Sequence, residues 1–320
     1  MPEATDPKEP WMTALYDHYI ICESGSAEHD LGVMVQNLLL SDDPKAPHET
    51  ALAITQYFWD GRADESREYP YFNYEKEGWP HLSDLVEKMI IGLSWFIPFN
   101  DTKQDKLIRL IVELYNIPPL EEPIAGMDRF VYPEDESFYL EMYDQWYDDK
   151  TNIFEEICFS KKSEVKEQCS QLVNFTAFLA RATAAEISRE DNTFGKFATY
   201  DVRDCLEEGI PPGAMDYQHI LPEGIRRDTS VMMAAQYFIL ATDVLDRFMV
   251  FEGSERNRAW GRFKWTFWAG TFGDLARGER GELGADARRE AFKAHQKMVA
   301  LHPEFFSAFE VQRAAGELVL

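Results

Sequence analysis

Apolar residues recur every three or four positions along most of this 320-residue chain, the spacing that gathers them on one face of an α-helix. Leu82, Leu85, Val86, Met89, Ile90 and Leu93 mark one such helix. Leu107, Ile108, Leu110, Ile111 and Leu114 mark the next, which Pro118 and Pro119 end because proline cannot continue the hydrogen-bond ladder. Val165, Cys169, Leu172, Val173, Thr176 and Leu179 define a longer one. Val231 to Val250 is apolar nearly all round and predicts a central helix buried on most sides. Ala287 to Leu301 reads as a charge-laced amphipathic helix, and Pro303 begins a short terminal one. Shorter helices are expected at Thr13–Ile21, Leu31–Leu40 and Glu49–Trp59.

No period of two is sustained over the length of a strand, and no glycine-rich phosphate loop is present. The expected fold is therefore all-α, a single compact multi-helix domain over 1–320 with a central buried helix. Within it lie N-terminal helices (1–120), an acidic and aromatic segment (121–160) and the helices that carry the candidate site (161–320). No Gly/Ser linker or internal repeat divides it. Residues 121–160 hold twelve acidic, two basic and nine aromatic side chains, with Tyr139, Tyr143, Trp146 and Tyr147 at helical spacing. That pattern describes either a solvated acidic face or a lid or docking surface. Pro211 to Arg226 reads as an irregular connector long enough to border a site.

Charge narrows the function classes. Fifty-seven acidic against thirty-two basic residues give a formal net charge of −25, so the field of the whole molecule repels nucleic acid and anionic membrane. No apolar run is long enough to span a bilayer. The first residues, MPEATDPKEPWM, have neither a basic nor an apolar leader region, and the four cysteines are far apart. A cytoplasmic protein with reduced thiols is expected, one that could act as a homodimer. The seven histidines form no HxxxH or HExxH pair and there is no GxSxG elbow, so neither zinc nor a serine nucleophile is expected.

Against this acidity, Asn257 to Phe272 (NRAWGRFKWTFWAGTF) is basic and aromatic. On a helix, Phe263, Phe267 and Gly270 fall in one stripe, and Trp265, Trp268 and Phe272 in the next. Arg262 and Lys264 lie near its start, where the macrodipole favours an anion. The segment is either a core helix with solvated cations or an aromatic-walled pocket with an anion site at its rim.

Two sets of carboxylates also stand out. Phe194, Phe197, Asp201, Asp204 and Glu208 follow one helical stripe that turns acidic before Gly209, Pro211 and Pro212 end it, and Glu207 adds another charge. Carboxylates in a last turn oppose the macrodipole by roughly 0.3–1 kcal/mol each. A bound cation, solvation or a salt bridge to Arg203 would offset that cost. Asp243 and Asp246 form an i, i+3 pair within an apolar segment, with Arg247 as the plain ionic partner. Two helices offering spaced carboxylates also suit Mg²⁺, which takes oxygen ligands and completes its shell from substrate phosphates. Lys264, Arg262, Arg227 and Arg203 would then hold a diphosphate.

The ordered blocks QDKLIRLIVELYNIP (Gln104–Pro118), VRDCLEE (Val202–Glu208), MAAQYFILATDVL (Met233–Leu245), RFKWTFWAGTF (Arg262–Phe272) and EAFKAHQKM (Glu290–Met298) resemble the fungal domain-of-unknown-function 3632 family. The chain also resembles the non-canonical fungal humulene synthases of tropolonic sesquiterpenoid pathways. That second resemblance implies an all-α enzyme of secondary metabolism that uses two Mg²⁺ ions and a lysine to ionise farnesyl diphosphate. Lys264 is the expected lysine, and Asp201, Asp243 and Asp246 depart from the common family pattern.

Three functions follow. The first is a Mg²⁺-dependent sesquiterpene cyclase, a lyase acting on farnesyl diphosphate. In it Lys264 is catalytic; Asp201, Asp204, Glu208, Asp243 and Asp246 hold metal; and Arg203, Arg227, Arg262, Phe197, Trp265, Phe267 and Trp268 bind substrate. The second is a non-catalytic helical binding or scaffold protein. The third is a metal-free pathway enzyme such as a pericyclase.

Overall fold

The computed structural model describes residues 9–22, 24–63, 78–117, 142, 146, 162–187, 194–207, 223–248 and 255–316, and among them there is no strand. The expected all-α fold is what these residues form. They fall into two units, Met1–Asp144 and Gln145–Leu320, whose junction lies inside the acidic, aromatic segment and not at a Gly/Ser linker. Of that segment only Met142 and Trp146 are described, so its expected helix lies outside the described residues, as do 211–222 of the expected irregular connector; its last residues, Glu223–Arg226, are instead the first turn of a helix.

The first unit holds α1 (Pro10–Leu15), α2 (Ala27–Leu40), α3 (Ala46–Ala63), α4 (Gly78–Ser94) and α5 (Lys103–Asn116). α1 starts with Pro10, whose missing N–H is no loss in a first turn. It runs directly into a π-helical turn, Tyr16–Ile20, closed by the Ile21 N–H donating to the Tyr16 carbonyl at 2.9 Å, where the sequence predicts one plain helix. Ser26 caps α2 by accepting from the His29 N–H at 3.2 Å. α5 buries Leu107, Ile108, Leu110, Ile111 and Leu114, the residues its spacing marks. It packs on α3, and α2 lies against α3, α4 and α5. Buried Gln104 donates to the Ile97 carbonyl at 2.8 Å and the Ser94 carbonyl at 3.4 Å, which satisfies acceptors left over where α4 ends.

The second unit holds α6 (Lys162–Ala184), α7 (Phe194–Leu206), α8 (Glu223–Leu240), α9 (Thr242–Asp246), α10 (Glu255–Arg277), α11 (Ala285–Leu301) and α12 (Ala308–Ala315), with a 3₁₀ turn at Pro303–Phe305. α8 is central, packing on α6, α7 and α11, while α10 packs along α11. Here the predicted helix over Val231–Val250 needs correction. It starts earlier, at Glu223, and breaks at Ala241, whose backbone (φ −122°, ψ 22°) is not helical. The Thr242 hydroxyl donates to the Phe238 carbonyl four residues back, a back-bond that competes with the helical ladder and bends it. Asp243 and Asp246 therefore sit on the separate, short α9.

The turn from α10 to α11 is clamped from α8. Arg227 donates to the Arg280 carbonyl, and the Asp228 carboxylate accepts the Gly284 N–H at 2.9 Å. Gly281 has φ +102°, a conformation that L side chains rarely adopt, so the backbone there calls for glycine.

Candidate functional site

The two aromatic stripes of α10 separate cleanly. Trp265, Trp268 and Phe272 are buried, all three edge-on to Phe238 of α8 with ring centroids 5.6–5.9 Å away. Phe263 (63% exposed) and Phe267 (36%) face solvent and stack on each other, with Arg280 over Phe267. Trp265 is thus core, its indole N–H donating to the Met298 carbonyl at 3.1 Å. Phe267, expected at a substrate, lies on the outer face.

Lys264 and Trp268 are four residues apart and share a side of α10. Both reach Glu207, just past the end of α7. Lys264 is ion-paired with its Oε2, and the Trp268 indole N–H donates to Oε1 at 2.8 Å. The ammonium stands 5.9 Å from the Trp268 ring centroid. The Lys264 and Glu207 side chains are only 14% and 17% exposed, so removing either leaves a charge poorly solvated. The structure thus brings the expected lysine to the acidic end of α7, and its described partner is Glu207, which sequence reasoning noted only as an extra charge.

Asp201, one and a half turns earlier on α7, forms a second cluster. It is buried, and its Oδ2 accepts the Tyr237 hydroxyl at 3.0 Å and the Trp146 indole N–H at 3.3 Å. Burial pushes the Tyr237 phenol well above its ordinary range, and the negative charge of Asp201 adds to that. Phe197, at i−4, packs on Trp146 with centroids 5.1 Å apart. Arg203 lies over Tyr200 at 5.3 Å.

α9 divides its pair. Asp243 is exposed, whereas Asp246 is buried and bonds His302 Nε2 at 2.6 Å. The other ring nitrogen of His302 meets Glu304 at 3.0 Å. Burial raises the Asp246 carboxyl above the usual range while His302 opposes that shift. Arg247, the expected ionic partner of the pair, instead bonds Glu186. Arg262 lies over Phe305 at 5.4 Å. Arg227 serves the α10–α11 turn, about 20 Å along α10 from Lys264.

Asp201 and Asp246 therefore belong to separate clusters, each with side-chain donors of its own. Among the described residues no group of three or more His, Cys, Asp or Glu is placed to hold a metal ion. Asp201 and Asp246 are bonded to neutral donors and a histidine ring, and Asp243 faces outward. Glu208 and the Asp204 side chain lie outside the described residues. Two further residues of these clusters are Tyr237, from α8, and His302, just past the end of α11, each distant in sequence with no local spacing to announce it.

Fold and clusters together define an all-α chain whose C-terminal unit buries carboxylates against aromatic N–H and O–H donors. The chain belongs to the family described as "Protein of unknown function (DUF3632)", whose model matches residues 87–293, from the middle of α4 to the middle of α11. No curated protein and no solved structure matches it. Among the described residues no helix is long and apolar enough to cross a membrane.

Proposed function

We propose that the chain is a non-canonical sesquiterpene cyclase, a lyase that receives the diphosphate of farnesyl diphosphate where Lys264 meets the acidic end of α7. The observation that carries this reading is the Lys264–Glu207–Trp268 junction. It combines a mostly buried ammonium, an indole ring beside it, and a carboxylate that a more highly charged anion can replace. In this reading Lys264 donates to the departing diphosphate oxygen and offsets the negative charge that builds as the carbon–oxygen bond breaks. The Trp268 π face stabilises positive charge on the carbon skeleton.

A second reading, a metal-free helical binding protein, is favoured by a different observation: Asp201, Asp246 and Lys264 are each engaged with partners inside the fold. One experiment separates the two. The full chain is incubated with farnesyl diphosphate and Mg²⁺, or with chelator, and volatile products are analysed by gas chromatography and mass spectrometry. Hydrocarbon from the wild type in Mg²⁺, lost in a folded Lys264→Ala variant, is the expected result. Saturable binding of farnesyl diphosphate without hydrocarbon under either condition would give the second reading its place.

A further inference from the structure

His295 lies on α11, buried against α10, and its Nδ1 is 2.7 Å from the Ala269 carbonyl. A carbonyl only accepts, so Nδ1 carries the hydrogen in this contact. The site is tight. Gly273 is where α10 makes room for it, since a Cβ there would meet His295 Cε1 at 3.0 Å and Arg277 Nη1 at 3.0 Å. Ring and guanidinium thus crowd one point on α10.

The charges around the ring come from each helix that faces it. α10 contributes Asp274 and Arg277, and α12 contributes Arg313 and, more weakly, Glu310. Asp274 and Glu279 are engaged with guanidiniums: Asp274 with Arg277 and Arg280, and Glu279 with Arg277 and Arg313. α8 meets α11 through Gln236–Glu290 and Lys297–Ile239. α12 is tied to this same corner, by Arg313 to Glu279 and by Gln296 to the Ala314 carbonyl at 2.9 Å.

We infer that His295 makes the seating of α12 acid-sensitive: a proton on its buried ring adds a cation to the corner where Arg277 and Arg313 meet Glu279, and α12 comes away from that corner. The sign follows from burial. Desolvation, aided by the charge of Arg277, holds the ring's pKa below its ordinary value of 6.5. The opened state, with the ring in water, takes up the proton first. Closure is therefore fully favoured above about 6.5, and is lost as pH falls from there through the lower pKa of the closed state. One proton per opening event makes the opening equilibrium rise by up to tenfold per pH unit across that window. Opening is local, drawn from the less stable end of the fold and not from global unfolding.

The test is amide hydrogen exchange of the full chain between pH 8 and pH 4.5, corrected for intrinsic exchange rates, with the His295 ring titration followed by NMR on the same sample. Protection over 308–315 should fall with acid, up to tenfold per pH unit, over the interval in which the His295 ring titrates. Protection in the His295→Gln variant should not vary with pH there, because its amide can still donate to Ala269 but cannot take the charge. If that variant does not fold, the wild type alone decides, since the loss of protection must coincide with the ring titration. Protection that ignores pH in the wild type, that falls equally in His295→Gln, or that falls away from the ring titration would overturn the inference.

Discussion

The polar contacts described in the two units differ in their partners. In the N-terminal unit Gln104, Lys106 and His29 are directed at backbone carbonyls: Ile97, Leu39 and Ile20 accept from them or face them at 2.8–3.0 Å. Those contacts finish helix ends, and they put little charge on charge. In the C-terminal unit Asp201, Glu207, Asp246 and Glu290 meet side-chain partners on other helices or turns. A carboxylate kept out of water is costly unless several donors address it. Helix-end repair explains the first pattern. The second sets carboxylates against side chains from other segments, although the N-terminal unit also buries one carboxylate, Glu87.

The contrast can be broken most directly at Tyr237. Tyr237→Phe removes a hydroxyl donor from the buried Asp201 carboxylate and should destabilise the protein by about 2–3 kcal/mol, read from the urea unfolding midpoint. Lys264→Ala strands Glu207 with the Trp268 indole and should cost about 2 kcal/mol. Replacing both charges at once, in Glu207→Gln/Lys264→Met, should restore most of that loss, because the neutral amide still accepts the Trp268 N–H and no charge is left unpaired. A double variant as unstable as the single one would mean the pair contributes more than its own neutralisation. Gln104→Ala, in the other unit, should lose about 1–1.5 kcal/mol. If it matched Tyr237→Phe, the distinction between the units would not hold. Arg247→Ala removes an exposed pair with Glu186 and should change stability by less than about 0.5 kcal/mol.

Helix existence was legible because it rests on local spacing. The apolar positions from Leu107 to Leu114 are the ones α5 buries, and the division of α10 into two stripes follows from counting residues per turn. Which stripe would face solvent did not follow, because that depends on where Phe238 stands. The break at Ala241 was hidden in a single threonine hydroxyl that can bond backward or outward with equal chemical ease. Lys264 was legible as a cation placed apart from its acidic surroundings, and it does meet the acidic end of α7. Its described partner was not legible, since Asp201, Asp204, Glu207 and Glu208 are equivalent on paper and differ only in how far α7 is rotated. The His302–Asp246 contact joins residues 56 positions apart, and no spacing within either segment signals it.

The Trp268 indole has a use in the laboratory that is independent of any catalytic role. Its N–H ends on Glu207, and the ammonium that neutralises that carboxylate stands beside its ring. Light absorption moves electron density across an indole toward its six-membered ring, so the emission colour follows charges fixed nearby. Any molecule that dislodges Glu207 must change both the charge at the N–H and the cation at the face. The chain has eight tryptophans, and the difference between its emission spectrum and that of Trp268→Phe isolates this one. The junction thus carries its own optical signal, and compounds can be screened against it with no label and no assumed reaction.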